Sequence, residues 1–220
     1  EIGPVREVSL LGTADLAFWR ARLGEEGLQP IDSAGKAQVL IVGVDARFKG
    51  IAFRELSISV MARELDNDSP HSGALLVQAF NSIRFFAFVE RAFFHTPYLP
   101  AQLVVDAKKP AGLQVAWQHS EVLRTQMAPQ TSHPRQPASD TESGWRGAIY
   151  LPSPAGTAVE RRRLFFGKLI GRTQTYPFAA DDVIEIRPNR DIPILQCLVD
   201  SQFTPSEWQI RPAATHDKSK

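Results

Sequence analysis

Apolar and polar residues alternate along much of this chain, and the alternation predicts strands. Phe53 to Met61 puts Phe53, Glu55, Ser57 and Ser59 on one face and Leu56, Ile58 and Val60 on the other. Val5 to Leu11 is rich in strand-forming residues. Val39 to Val44 is an unbroken aliphatic run, which suits a strand covered on both faces. Further strands are expected over Gly73–Phe80, Leu103–Val105, Leu113–Trp117, Val122–Met127, Trp145–Leu151, Thr173–Phe178, Val183–Ile186 and Ile194–Val199.

Helical spacing predicts three helices. Thr13-Ala14-Asp15 opens the first, with Thr13 as cap, Leu16, Trp19 and Leu23 on one stripe, and Gly24 and Gly27 ending it. The second runs from a cap at Asn81 or Ser82 to about Phe94. Its apolar residues outnumber Arg84, Glu90 and Arg91 so far that it is expected to be enclosed. Thr96-Pro97 breaks it. The third is expected over Thr157–Leu169. The sum is one α+β domain over 1–220, dominated by β-structure, a sheet or barrel with a few helices. The polar, proline-containing stretch 128–143 reads as a mobile surface loop, with a domain linker as the alternative. The polar residues 211–220 read as a frayed tail.

Charge narrows the function classes. Twenty-five Lys and Arg against 24 Asp and Glu leave a formal charge of +1, which argues against nucleic acid as a partner. The cations split into 18 Arg and 7 Lys. One cysteine, Cys197, excludes an intrachain disulfide and an all-cysteine metal site. No run of eighteen apolar residues exists and the opening residues are not a signal peptide, so the expectation is a cytoplasmic protein with no membrane contact.

Candidate chemistry is sparse. His71, His95, His119, His133 and His216 show no metal-ligand spacing, and no phosphate loop or nucleophile elbow occurs. No metal and no cofactor are expected. Arg161-Arg162-Arg163 reads either as an anion patch or, preferably, as a solvated helix face. Two carboxylates stand out, Glu55 and Glu90. The pattern around Glu55 leaves open whether it faces solvent or the cavity of a small barrel.

Several residues, taken in order, carry a resemblance. Arg6-Glu7 lies on the first strand and Leu28-Gln29-Pro30 follows the first helix. Glu55 ends Gly50-Ile51-Ala52-Phe53-Arg54-Glu55, and Arg91 and Pro97 precede Val104-Val105-Asp106. From about Arg6 to its end the chain resembles the acetoacetate decarboxylase superfamily. The resemblance implies a cone-shaped β-barrel whose funnel holds the site, with helices outside and a homo-oligomeric assembly. It also implies that Arg6 and Glu55 line the funnel. Arg6 would hold a carboxylate, and Glu55 would serve as general base or as Arg6's partner in a buried ion pair.

The departure from the family lies after Pro97. Relatives carry two lysines there, the first forming a Schiff base and the second lowering its pKa. This chain has Tyr98 and Leu99. Tyr98 would then donate a hydrogen bond to a carbonyl oxygen. His95 would be an acid or base, or more simply a histidine at a helix C-terminus. The expected function is binding of a small carboxylate or carbonyl ligand without Schiff-base decarboxylation. One alternative is a lyase, isomerase or hydrolase using Glu55 with Tyr98 or His95. The other is a structural or interaction module, which predicts no substantial pocket.

Overall fold

The structure, a computed structural model, describes residues 5–65, 72–129, 135–153 and 164–219, with side chains described through His216. In chain order the first half holds β1 (Val5–Asp15), α1 (Leu16–Glu25), β2 (Leu28–Pro30), β3 (Asp32–Ser33), β4 (Lys36–Phe48), β5 (Ile51–Glu64), β6 (Ser72–Asn81), α2 (Arg84–Phe94) and β7 (Tyr98–Pro100). The second half holds β8 (Gln102–Asp106), β9 (Gly112–Trp117), β10 (Ser120–Gln126), β11 (Ser139–Tyr150), β12 (Leu164–Pro177), β13 (Val183–Ile186), α3 (Pro193–Asp200) and β14 (Thr204–Ser219).

Ten strands make one large sheet, ordered β2-β5-β4-β1-β14-β12-β11-β6-β7 with β3 on β4. Because β6 pairs with β5 as well as β11, the pairings return to their start through β5, β4, β1, β14, β12, β11 and β6. The sheet therefore has a concave inner face. A second sheet, β13-β10-β9-β8, packs on the outside of β4 and β5. The period-2 alternation sorts the two faces. Val39, Ile41, Leu56, Ile58 and Val60 join Leu103, Val105, Leu113, Val115 and Leu123 in the main core, with Trp19 and Leu23 of α1 and Leu195 and Leu198 of α3. Gly43 is small because β9 crosses behind it. A Cβ there would sit 2.3 Å from Leu113.

Several of these expectations need correction. The first helix begins at Leu16 rather than Thr13: β1 runs on to Asp15, whose carboxylate accepts the Phe18 N–H at 2.6 Å. Gly24 stays inside that helix, and Gly27, at φ 64°, follows its end. Leu164–Leu169 is strand, paired with Tyr150 to Trp145 along β11; residues 154–163, including Arg161-Arg162-Arg163, lie outside the described residues. Ile194–Val199 is helix. Pro193 starts it, and Ile194, Leu195, Cys197 and Leu198 form its buried stripe.

The stretch 128–143 is described at residues 128–129 and 135–143. Ser139–Ser143 pairs with Thr175–Gly171, and the buried Asp182 carboxylate holds the Ala128 N–H and the Arg135 guanidinium, both at 2.9 Å. Residues 211–219 of the expected tail are the end of β14, paired to β1 as far as Ala214 and to β12 as far as Ser219; residue 220 lies outside the described residues. Finally, α2 is not enclosed. Ala87 is its buried residue, while Phe85, Phe88, Phe93 and Phe94 are each about half or more exposed. The helix touches the sheet along one narrow line, through Ala87 and through Phe86 against Phe53.

Candidate functional site

The concave face of the large sheet encloses a cavity of about 640 Å³. Strand register brings its polar groups together in rows. Arg211 on β14 stands opposite Glu7 on β1, Glu7 opposite Val44 on β4, and Val44 opposite Glu55 on β5. The next row is Gln209, Ser9, Val42 and Ser57. Residues directly opposite in antiparallel strands project to the same face, and strands lie about 4.8 Å apart. Glu7 and Glu55, with β4 between them, are therefore on the order of 10 Å apart along the sheet.

Glu7 and Arg211 form a buried ion pair through Oε1 and Nη1. Ser9 Oγ donates to the same carboxylate oxygen at 2.6 Å, and Arg211 Nη2 donates to Gln209 Oε1 at 3.0 Å. Gln209 Nε2 in turn donates to Glu207 Oε1 at 2.9 Å. Burial raises the Glu7 pKa above the ordinary 4.5, and the opposing pull of Arg211 and Ser9 does not cancel it.

Tyr98 closes the other side. It is 3% exposed and sits on β7, which pairs in parallel with β6 at Ala79. The preceding Pro97 carbonyl accepts from Gln78 Nε2 at 2.5 Å and from the Ala79 N–H at 3.0 Å, which fixes where the ring enters the cavity. The Glu55 carboxylate lies next to the Tyr98 hydroxyl, and Glu90 of α2 adds negative charge nearby. Burial first, then these two carboxylates, push the phenol well above its ordinary 10.0. The phenol consequently stays protonated and available as a donor at neutral pH. In an alkaline absorbance titration, Glu55→Gln is expected to bring the Tyr98 transition to lower pH than in wild type. A Tyr98 transition unmoved by Glu55→Gln would remove Glu55 from its surroundings.

The sequence-expected residues divide. Glu55 and Tyr98 both line the cavity and face one another. Arg6 does not: it is exposed and belongs to the outer row Arg6, Asp45, Arg54, one residue out of step with the inner row Glu7, Val44, Glu55. An Arg6–Glu55 pair is thus excluded by the pleat. His95 is exposed, does not line the cavity and caps the C-terminal end of α2 at φ 49°. The residues that were missed are Glu7, Ser9, Gln209 and Arg211. The Arg6-Glu7 dipeptide held the first of them, and Gln209-Ile210-Arg211 alternates as a strand should. A cavity of this size also runs against a purely structural module.

Solved structures supply the comparison for this architecture. The chain is similar to an acetoacetate decarboxylase-like enzyme from Sphingomonas wittichii RW1, with 12% identity and a TM-score of 0.55 over 100% of this chain and 92% of that one. It is similar to acetoacetate decarboxylase from Legionella pneumophila subsp. pneumophila, with 10% identity and a TM-score of 0.61 over 99% and 88% of the two chains. The enduracididine biosynthesis enzyme MppR gives 12% identity and a TM-score of 0.60 over 99% and 84%. No family model and no curated protein sequence matches. The chain has the acetoacetate decarboxylase-like α+β fold. Among the described residues no helix is long and apolar enough to cross a membrane.

Proposed function

We propose that the chain binds a small carbonyl compound in this cavity without forming a Schiff base. One observation carries the reading: the cavity wall presents a protonated phenol, Tyr98, beside a carboxylate, Glu55, and the described lining includes no lysine. A neutral carbonyl fits that wall better than a free carboxylate does. Arg211 is the one arginine among the lining residues and Glu7 already pairs with it, while Glu55 and Glu207 add negative charge. A ligand carbonyl oxygen would take the Tyr98 hydroxyl as its donor. MppR, of the same fold, has been crystallised with pyruvate, a compound that carries both groups.

A thermal-shift screen of ketones against matched acids tests the reading. A ligand at a hundred times its dissociation constant adds about 2.7 kcal/mol, or about 5–10 °C for a chain of this size. Ketones should give the larger shift, and Tyr98→Phe should abolish most of it. Shifts with acids alone would refute the assignment. Borohydride with acetoacetate should leave no covalent adduct on any lysine.

The Tyr98–Glu55 juxtaposition also favours a second reading, proton transfer next to the carbonyl. Glu55 would take the α-proton, the C–H electron pair would form the carbon–carbon double bond as the carbonyl π pair moves to oxygen, and Tyr98 would hold the resulting enolate by its hydroxyl. His95 has no part in this. Exchange of α-protons for solvent deuterium, lost in Glu55→Gln, is the expected signature.

A further inference from the structure

We infer that the ligand carries an elongated apolar body, laid along β4 with its carbonyl end toward Tyr98. This rests on the carbonyl reading above and specifies its substrate class. The cavity of about 640 Å³ falls in the range of roughly 300–1,000 Å³ that holds drug-sized molecules, far more than a three- or four-carbon compound fills.

The wall is also patterned. On β4 every cavity-facing residue from Leu40 to Ala46 is apolar: Leu40, Val42, Val44, Ala46. At about 3.4 Å per residue this stripe is about 20 Å long. Its middle is bordered on both sides by polar positions, Glu7 and Ser9 on β1 and Glu55, Ser57 and Ser59 on β5, and its ends by the apolar Leu11, Val5 and Phe53. Leu40, Val42 and Val44 are half-buried rather than packed away, so apolar surface faces the cavity and would be covered by a ligand.

Another part of the lining is built for the same purpose. Trp145 of β11 lies over Gly147 and Gly167, which are directly paired across β11 and β12. A Cβ on Gly147 would meet the indole at 2.8 Å, and one on Gly167 would meet it at 2.6 Å. The glycine pair lets the ring lie down on the sheet as an apolar surface, continued by Ile149, Phe165 and Leu169. A polar stripe or a closed core would need neither feature. A slot for a chain or ring system needs both.

The test is a homologous series of methyl ketones of four, six, eight and ten carbons, with 1-alkanols of matched length, measured by titration calorimetry. Affinity for the ketones is expected to rise about fourfold per methylene and then level off. Val42→Asp, and separately Leu40→Ser should the first not fold, should flatten that slope. Ketones with a terminal bromine should quench the fluorescence of wild-type protein, and Trp145→Phe should remove the quenching, which locates the tail. Binding of short ketones with no dependence on length overturns the inference and leaves the carbonyl reading intact. An equally steep slope for the alkanols upholds the apolar track and overturns the carbonyl reading. Binding by no member of either series overturns both.

Discussion

Arg211→Met is expected to cost about 3–5 kcal/mol at neutral pH, and much less in acid. The substitution keeps most of the aliphatic stem and removes the charge. What remains is Glu7, with a side chain 3% exposed and no cation to offset its burial. The sign of the pH dependence follows from Glu7. Its folded pKa lies above the ordinary 4.5, so its contribution to stability is full below that value and is lost as pH rises through the folded pKa. Arg211 is the strongest influence holding that pKa down. Without it the folded pKa rises further, and the loss extends to higher pH. Melting curves should therefore show a gap between wild type and Arg211→Met that is wide at about pH 8 and narrow at about pH 5. At about 2–4 °C per kcal/mol the wide gap is on the order of 6–20 °C. Adding Glu7→Gln to Arg211→Met should recover part of the stability and level the pH dependence. A gap of the same size at both pH values would mean that Glu7 is not what Arg211 compensates.

The same pair shows how far a sequence can be read. The strand of Glu55 was legible because Glu55–Val60 alternates, which puts Glu55 with Ser57 and Ser59 on one face, while the pattern left open whether that face meets a cavity or solvent. Alternation alone does not say which of Arg6 and Glu7 faces inward, because Val5 to Leu11 is apolar at both parities. The answer depends on register with β4, a contact made more than thirty residues away. Arg211 was hidden differently. Arg211 and His216 at the end of β14 line the cavity, and by composition that segment reads the same as a tail facing water.

Composition misled at the helices for related reasons. The α3 segment is apolar enough to pass for a buried strand, and only Pro193 and the spacing of Ile194, Leu195, Cys197 and Leu198 mark it as a helix. On α2 the many phenylalanines promised enclosure, yet a helix that meets its sheet along one line buries one side whatever the other side is made of. The overall architecture survived these errors because it is set by the long strands β1, β4, β5 and β6. Their cores match the expected segments, and the concave face they build carries Glu55.

Gly73→Val should destabilise the protein by about 3 kcal/mol or more and abolish binding in the cavity, because Gly73 lies at the seam that returns the sheet to its start. There β6 and β11 pair in parallel through Gly73 with Ala148, Ala74 with Ile149 and Leu75 with Tyr150. A Cβ on Gly73 would stand 2.0 Å from the Ala148 carbonyl oxygen and 2.7 Å from its carbon. Both are backbone atoms, so no rotamer change relieves the overlap and the strands must part. Parting them uncovers Ala148 and Tyr150, both buried, and opens the wall that Ala74 and Leu76 contribute to the cavity. Gly24→Ala is the matched control. It lies in α1 with nothing within 4 Å of the new methyl group, so it should stabilise the protein by about 0.5–1 kcal/mol through helix propensity. Hydrogen exchange locates the effect. In Gly73→Val, amides of β6 and β11 at the seam should lose protection before those of β1 and β4, which pair elsewhere in the sheet. Uniform loss across all four strands would mean that the seam does not open on its own and that the cavity wall is one cooperative unit.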